Sequence, residues 1–234
     1  MLVSVLDGHP QVRCHGELFR RNKVGKKGAL KVLRKIDPAY ESADYRDEHH
    51  DAYIKAVRKA EKDKSPFFGF KLMLNQADNA RAGFIKNGDY RKILLRRDNL
   101  LAIYSSNLIV RETGQGNVKQ HQQVARVRVE FKPRGFYRFL DKHLEKYEQA
   151  RRLLAGSVGD DFLETSYLDI CTAEGMDAVF RFIGANPALN PGSTGTKKRN
   201  TSQIVERFTN PDVVESCLAD LGHLDWLDET FTTD

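Results

Sequence analysis

Short apolar runs alternate with segments of helical composition along the chain, and their order predicts the fold class. Residues 67–73, 91–96 and 162–167 are apolar strand candidates bounded by breakers or turns. Three such strands alternating with helices indicate an α/β fold with a largely parallel sheet. In folds of this class, ligands gather at the carboxyl ends of the strands.

Helices are predicted from composition, spacing and end signals. Residues 1–6 have the pattern of a helix end, residues 11–14 form a short extended piece, and residues 40–62 are rich in Glu, Lys, Ala and Arg. Residues 135–154 place large apolar side chains near helical spacing. The remaining helices are predicted at residues 99–110 after an N-cap-like Asp98, at 174–183 before Gly184, and from Asn210-Pro211 to Gly222.

The composition is that of a soluble globular protein. Apolar residues make up 40% of the 234 residues, which rules out wholesale disorder, and residues 1–234 are expected to form a single domain. No run approaches the ~18 apolar residues of a membrane span. The three cysteines are far apart and odd in number, so they form neither a disulfide framework nor a CxxC metal site. The chain does not open on a signal-peptide pattern, so we expect a cytoplasmic protein.

Charge is distributed unevenly along the chain. The formal net charge is +6, yet residues 20–35 carry eight Lys or Arg and no acid, whereas residues 206–234 carry eight acids and one Arg. The basic block can serve a polyanion, an anionic small substrate or an acidic membrane surface, or it can be a solvated surface. The acidic end has few aromatic residues, which argues against nucleic-acid binding. The basic block leaves a peripheral contact with a membrane surface as one interpretation.

Two segments carry candidate chemistry. Residues 6–19, LDGHPQVRCHGELF, combine a polar turn, an extended piece and the carboxylate of Glu17. Residues 93–106, ILLRRDNLLAIYSS, place Arg97 at a strand end and Ser105 eight residues later in the next helix, so both can face one crevice. A forked guanidinium and a hydroxyl suit a phosphate monoester. The alternative is that Arg97 forms a helix-capping ion pair with Asp98.

Together, these two segments resemble those of sulfotransferases that use 3′-phosphoadenosine-5′-phosphosulfate, of the bacterial carbohydrate, lipopolysaccharide and nodulation-factor type. LDGHPQVRCHGELF is similar to the stretch after the family's first helix, and LLRRDNLLAIYSS is similar to its 3′-phosphate signature. Shorter stretches at residues 69–73, 163–169 and 181–184 follow in the family's order. The resemblance spans residues 2–184.

This resemblance implies a three-layer fold like that of P-loop nucleotide hydrolases and a sulfuryl transfer without a metal. The co-substrate would be 3′-phosphoadenosine-5′-phosphosulfate, and the acceptor a hydroxyl of a carbohydrate or glycolipid. Arg97 and Ser105 match the ligands of the 3′-phosphate, and Glu17 matches the catalytic base. A late basic loop would close over the cofactor, its phosphate contacts coming from Lys197, Lys198 or Arg199.

Two residues near Glu17 have alternative roles. His15, two residues away on the same face if the piece is extended, is the second candidate base. Lys71, at the end of an apolar strand, can stabilise the leaving group or extend its ammonium group into solvent.

The amino-terminal part departs from the family pattern. Family members begin with a strand and a loop resembling Arg-Ser-Gly-Thr-Thr that binds the 5′-phosphosulfate. This chain starts within the helix that follows that loop, which implies a shortened sulfotransferase lacking the first strand and the phosphosulfate loop. The alternative is an impaired homologue that binds the nucleotide or an acidic partner without turnover. A kinase-like enzyme is disfavoured, because residues 192–198, GSTGTKK, follow no predicted strand.

Other candidate groups receive structural interpretations. His49 and His50 stand among acids, but adjacent helical positions point to different faces, so a solvated surface is expected. Cys14 is expected to be a small buried residue. Trp226 is expected in a terminal helix that packs on the domain.

Overall fold

The structure is a computed structural model of the chain, and it describes residues 1–21, 37–61, 65–115, 127–156, 161–190 and 201–229. Within these ranges, eight α-helices and four strands form a mixed α/β fold. The strands form two small parallel sheets of two strands each. The α/β class is therefore confirmed, and the P-loop-like three-layer arrangement stays a prediction.

The strands are β1 (Val12–Glu17), β2 (Phe67–Lys71), β3 (Lys92–Arg96) and β4 (Phe162–Ser166). The α-helices are α1 (Leu2–Gly8), α2 (Ala43–Glu48), α3 (His50–Ala60), α4 (Asp78–Lys86), α5 (Leu100–Thr113), α6 (Pro133–Ala155), α7 (Ala173–Ile183) and α8 (Pro211–Leu221). Short 3₁₀ segments lie at Pro38–Glu41, Asp169–Cys171, Pro187–Leu189, Val205–Arg207 and Leu224–Leu227. None of the helices described here combines the length and the apolar composition needed to cross a bilayer.

The first sheet pairs β1 with β2 in parallel. Val12 is opposite Phe67 at the start and Glu17 is opposite Lys71 at the end, with a register irregularity between His15 and Glu17. Because the strands are parallel, their carboxyl ends meet at the same side of the sheet. Glu17 and Lys71 therefore lie next to each other.

The second sheet pairs β3 with β4. The Lys92 amide donates to the Asp161 carbonyl, and the Tyr167 amide donates to the Arg96 carbonyl. Both strands thus advance in the same direction, which is the parallel order. The residues that follow β3 and β4 are consequently neighbours as well.

The chain divides into two compact units. Unit 1 comprises Met1–Leu94, Gln149–Glu164 and Met176–Ser193, and unit 2 comprises Leu95–Glu148, Thr165–Gly175 and Thr194–Asp234. Each unit draws on separate stretches of sequence, so no single boundary separates them. The expectation of one domain over residues 1–234 stays a prediction.

Each unit has an aromatic-rich core. In unit 1 the core lies between the end of β1 and helices α3 and α4, and it includes Phe19, Tyr53 and Phe84. In unit 2 helices α5, α6 and α8 pack around Phe136 and Trp226. Trp226 packs on the fold as expected, although it lies in a 3₁₀ segment and not in an α-helix.

The predicted helix at residues 40–62 is divided into three pieces. Ser42 caps α2, its hydroxyl accepting a hydrogen bond from the Tyr45 amide (3.3 Å), and His49 interrupts the helix at φ −108° and ψ 36°. Asp47, near the end of α2, accepts a hydrogen bond from the Ala80 amide (2.7 Å) at the start of α4. The helix-favouring composition therefore did not signal the two interruptions, because caps and tertiary contacts determine where each helix ends.

The predicted N-cap at Asp98 is wrong by one residue. Asn99 caps α5, since its Oδ1 accepts a hydrogen bond from the Ala102 amide (2.9 Å). The Asp98 carboxylate instead pairs with Arg96 (2.7 Å). The predicted ends at Gly184 and Gly222 are confirmed, and both glycines adopt positive φ values of 86° and 71°, which favour glycine.

Candidate functional site

The carboxyl ends of β1 and β2 bring a carboxylate and an ammonium group together. Lys71 Nζ lies 3.4 Å from Glu17 Oε1, and Gln76 Nε2 donates to Glu17 Oε2 at 2.8 Å. We call these three residues the β1–β2 edge. Glu17 is the last residue of β1, and its side chain is partly buried.

The environment of Glu17 keeps its carboxylate ionised. Burial raises its pKa, but the hydrogen bond from Gln76 and the positive charge of Lys71 outweigh burial, and the pKa lies below its ordinary value. The side chain is 27% exposed. Glu17 is therefore an ionised carboxylate that solvent can reach.

Buried donors hold the backbone that follows Glu17. The guanidinium of Arg46 has no exposed surface and donates to the Arg20 carbonyl at 2.9 Å. The Tyr53 hydroxyl donates to the Leu18 carbonyl at 3.2 Å. The three residues that follow Glu17 are therefore held in place by contacts with the core of unit 1.

His15 has a different set of contacts from Glu17. Its Nε2 lies 3.1 Å from Glu61 Oε1, and its ring packs against Phe68. Burial lowers the pKa of His15, and the nearby Glu61 only partly opposes this effect. The register irregularity in β1 lies between the two candidate bases. A catalytic role for His15 stays a prediction.

Cys14 is buried, as expected. Burial, together with the Asp7 carboxylate, raises the pKa of its thiol to about 12. Because the thiolate is the reactive form, Cys14 is not a nucleophile at neutral pH.

The carboxyl ends of β3 and β4 place Arg97 beside an aromatic ring and a buried acid. The Arg97 guanidinium lies 4.5 Å from the centroid of the Tyr167 ring. Arg97 Nε donates to Glu229 Oε1 at 2.9 Å, and Nη2 donates to Oε2, so both carboxylate oxygens are bound. We call these three residues the β3–β4 edge. The side chain of Glu229 is only 4% exposed, whereas that of Arg97 is 26% exposed.

Ser105 lies inside the core of unit 2. Its hydroxyl accepts a hydrogen bond from Arg207 Nη1 at 3.0 Å and donates to the Ala102 carbonyl at 3.2 Å. Arg97 and Ser105 therefore have different protein partners, Glu229 and Arg207. Their joint binding of a phosphate stays a prediction.

The structure adds partners that sequence analysis did not identify. Glu229 and Arg207 belong to residues 201–229, and so do the two carbonyls, of Trp226 and Asp228, to which Asn99 Nδ2 donates. Arg97, Asn99 and Ser105 thus all contact this carboxyl-terminal stretch. The acidic composition of the stretch is a general signal that does not single out Glu229.

Some predicted positions lie outside the described residues. Lys197, Lys198 and Arg199 fall there, as do residues 22–35 of the basic block.

The histidine pair among acids is part of the folded structure, since His50 Nδ1 lies 3.0 Å from the Asp47 carbonyl. Within the described ranges, no group of three His, Cys, Asp or Glu residues could hold a metal ion.

A scan against models of known protein families finds no match for this chain, and a search of curated proteins finds none either.

Proposed function

We propose that the protein transfers a sulfuryl group from 3′-phosphoadenosine-5′-phosphosulfate to a hydroxyl of a carbohydrate or glycolipid. The β1–β2 edge supports this proposal most. Glu17 is an accessible, ionised carboxylate, and it stands at the end of a parallel strand, where ligands of α/β folds gather. It also belongs to the segment that resembles the family's catalytic one.

In this mechanism the acceptor oxygen attacks sulfur as the bond between sulfur and the bridging phosphate oxygen breaks. Glu17 takes the hydroxyl proton, and 3′,5′-bisphosphoadenosine leaves with the electron pair of the broken bond. A base so placed contributes ~10² to 10⁴ in rate. Lys71 keeps Glu17 ionised until the proton arrives and adds positive charge beside the reacting groups.

The nucleotide is proposed to bind through Arg97. Two N–H groups of this side chain already bind two oxygens of one carboxylate, an arrangement that also suits a phosphate group. Ser105, Lys197, Lys198 and Arg199 are proposed as further contacts of the nucleotide phosphates. Arg97→Ala should remove the preference for 3′,5′-bisphosphoadenosine over adenosine 5′-phosphate, as measured by calorimetry.

Sulfuryl transfer from radiolabelled co-substrate to a panel of carbohydrate acceptors tests the function. Glu17→Gln should lower turnover by ~10² or more because the proton acceptor is lost, while the affinity for 3′,5′-bisphosphoadenosine stays nearly unchanged. Glu48→Gln, the same substitution at an exposed position of α2, is the control and should retain full turnover.

Unchanged turnover per folded molecule in Glu17→Gln would show that Glu17 is structural. Nucleotide binding without transfer in the unmodified protein would favour the impaired homologue. Absence of both binding and transfer would contradict the proposal and its alternative alike.

A further inference from the structure

We propose that Glu229 is an internal competitor for the oxyanion-binding site at Arg97, so that a phosphate-bearing ligand binds by displacing the Glu229 carboxylate. The inference deepens the proposed function, on which it rests for the identity of the nucleotide. The exchange of one oxyanion for another at Arg97 is independent of any sulfuryl transfer.

The hydrogen bonds of Arg97 explain why the two anions exclude each other. Nε and Nη2 bind Glu229 side-on, each donating to a different carboxylate oxygen. A phosphate monoester presents two oxygens that match the same pair of donors. One pair of N–H groups cannot bind both ligands side-on, so a phosphate in this geometry takes the place of the carboxylate.

The position of Arg97 makes it accessible to a ligand. It directly follows β3, and its guanidinium lies against the ring of Tyr167, which directly follows β4. The aromatic contact positions the guanidinium while leaving its charge in place. Since about a quarter of the side chain is exposed (26%), an incoming anion can reach it.

The burial of Glu229 makes the displacement of its carboxylate from Arg97 cost free energy. Its side chain is only 4% exposed, so a phosphate at Arg97 would meet a poorly solvated like charge. The backbone of the same segment is held in place, because the Glu229 amide donates to the Ser202 carbonyl at 3.0 Å and Asn99 Nδ2 donates to the Asp228 carbonyl at 3.3 Å. The free energy of moving this carboxylate therefore reduces the affinity for phosphate.

Calorimetric titration of the whole chain tests the competition, with 3′,5′-bisphosphoadenosine and inorganic pyrophosphate as probes. Glu229→Gln keeps the shape of the side chain but removes its charge, and it should raise the affinity for both probes about tenfold or more. Glu229→Asp keeps the charge but shortens the side chain by one methylene, so a smaller gain is expected. Glu215→Gln, at an exposed position of α8, is the matched control and should change nothing.

The gain must depend on Arg97. It should vanish in the double variant Arg97→Ala/Glu229→Gln, whereas a gain that persists there, or unchanged affinity in Glu229→Gln, overturns the inference. The unmodified chain offers a second measurement, because the NMR signal of Arg97 Nε should shift as pyrophosphate replaces the carboxylate. A missing shift at saturating pyrophosphate also overturns it.

The two proposals fail separately. A chain that shows the affinity gain but transfers no sulfuryl group contradicts the proposed function alone. A chain that transfers sulfuryl groups but binds both probes with the same affinity in the unmodified protein and in Glu229→Gln contradicts the competition alone.

Discussion

The β1–β2 edge and the β3–β4 edge pair a carboxylate with a cation at the ends of parallel strands, yet the two pairs differ in tightness. Glu17 and Lys71 are 3.4 Å apart and 27% and 44% exposed. Glu229 binds Arg97 through both oxygens and is 4% exposed. The same two charges therefore leave one carboxylate open to accept a proton and commit the other to its partner. Burial and hydrogen-bond count, more than position at a strand end, determine which role each acid can take.

Removing the cation of each pair should produce the largest difference between the edges. Arg97→Ala leaves the buried Glu229 charge without its partner and should cost about 2 to 3 kcal/mol, somewhat less than for a fully buried pair because Arg97 is partly exposed. Lys71→Ala removes an exposed pair and should cost less than about 1 kcal/mol. Urea denaturation measures both free energies of unfolding.

A double variant serves as the control for that comparison. Arg97→Ala/Glu229→Leu should recover part of the lost stability, since no unpaired charge stays buried. Equal costs for Arg97→Ala and Lys71→Ala would contradict the difference in tightness between the edges.

Asn99 offers a smaller test of how the β3–β4 edge is held. Its Oδ1 caps α5, while its Nδ2 donates to carbonyls of the segment that carries Glu229. Asn99→Ala should therefore cost about 1 to 2 kcal/mol. Asn99→Ser can still cap the helix and should cost less, and the difference between the two variants isolates the cap.

Thermal melting of both Asn99 variants provides the measurement. Ser42→Ala, which removes an exposed cap from α2, should cost only about 0.5 to 1 kcal/mol. A cost for Asn99→Ala no larger than that of Ser42→Ala would show that Asn99 does not hold the carboxyl-terminal segment.

The smallest expected effect is the pH dependence contributed by Glu17. Because its pKa is lowered in the folded protein, the carboxylate contributes stability above its ordinary pKa of 4.5, and this contribution is lost as pH falls through the folded value. The difference in unfolding free energy between the unmodified chain and Glu17→Gln should be under about 1 kcal/mol at pH 6 and should shrink towards pH 3. An NMR titration that gives a pKa at or above 4.5 would contradict the assignment.

Local signals predicted the features that depend on neighbouring residues. The four strands follow from short apolar or extended runs, and the ends of α7 and α8 follow from Gly184 and Gly222, which adopt the positive φ values that end helices. Glu17 was a candidate from sequence because its segment resembles the family's catalytic one, and Lys71 because it stands at the end of an apolar run. Their pairing followed only once β1 and β2 were seen side by side.

Features that depend on distant residues could not be predicted. Glu229 is 132 positions from Arg97, and no periodicity connects them. Arg46 stands in the charged run DYRDE, where nothing local signals a completely buried side chain. The N-cap at Asn99 was missed because Asp98, an equally good capping residue, is engaged by Arg96.

The buried guanidinium of Arg46 also affects how unit 1 can open. Arg46 donates to the carbonyls of Tyr40, Glu41 and Arg20, which lie in the 3₁₀ segment before α2 and in the chain after β1. Fraying of either stretch would remove some of the acceptors of a desolvated cation, so the opening of either stretch alone costs extra free energy. We therefore expect the start of α2 and the chain just after Glu17 to open together. This coupling protects the position of Glu17 at the end of β1 from local unfolding.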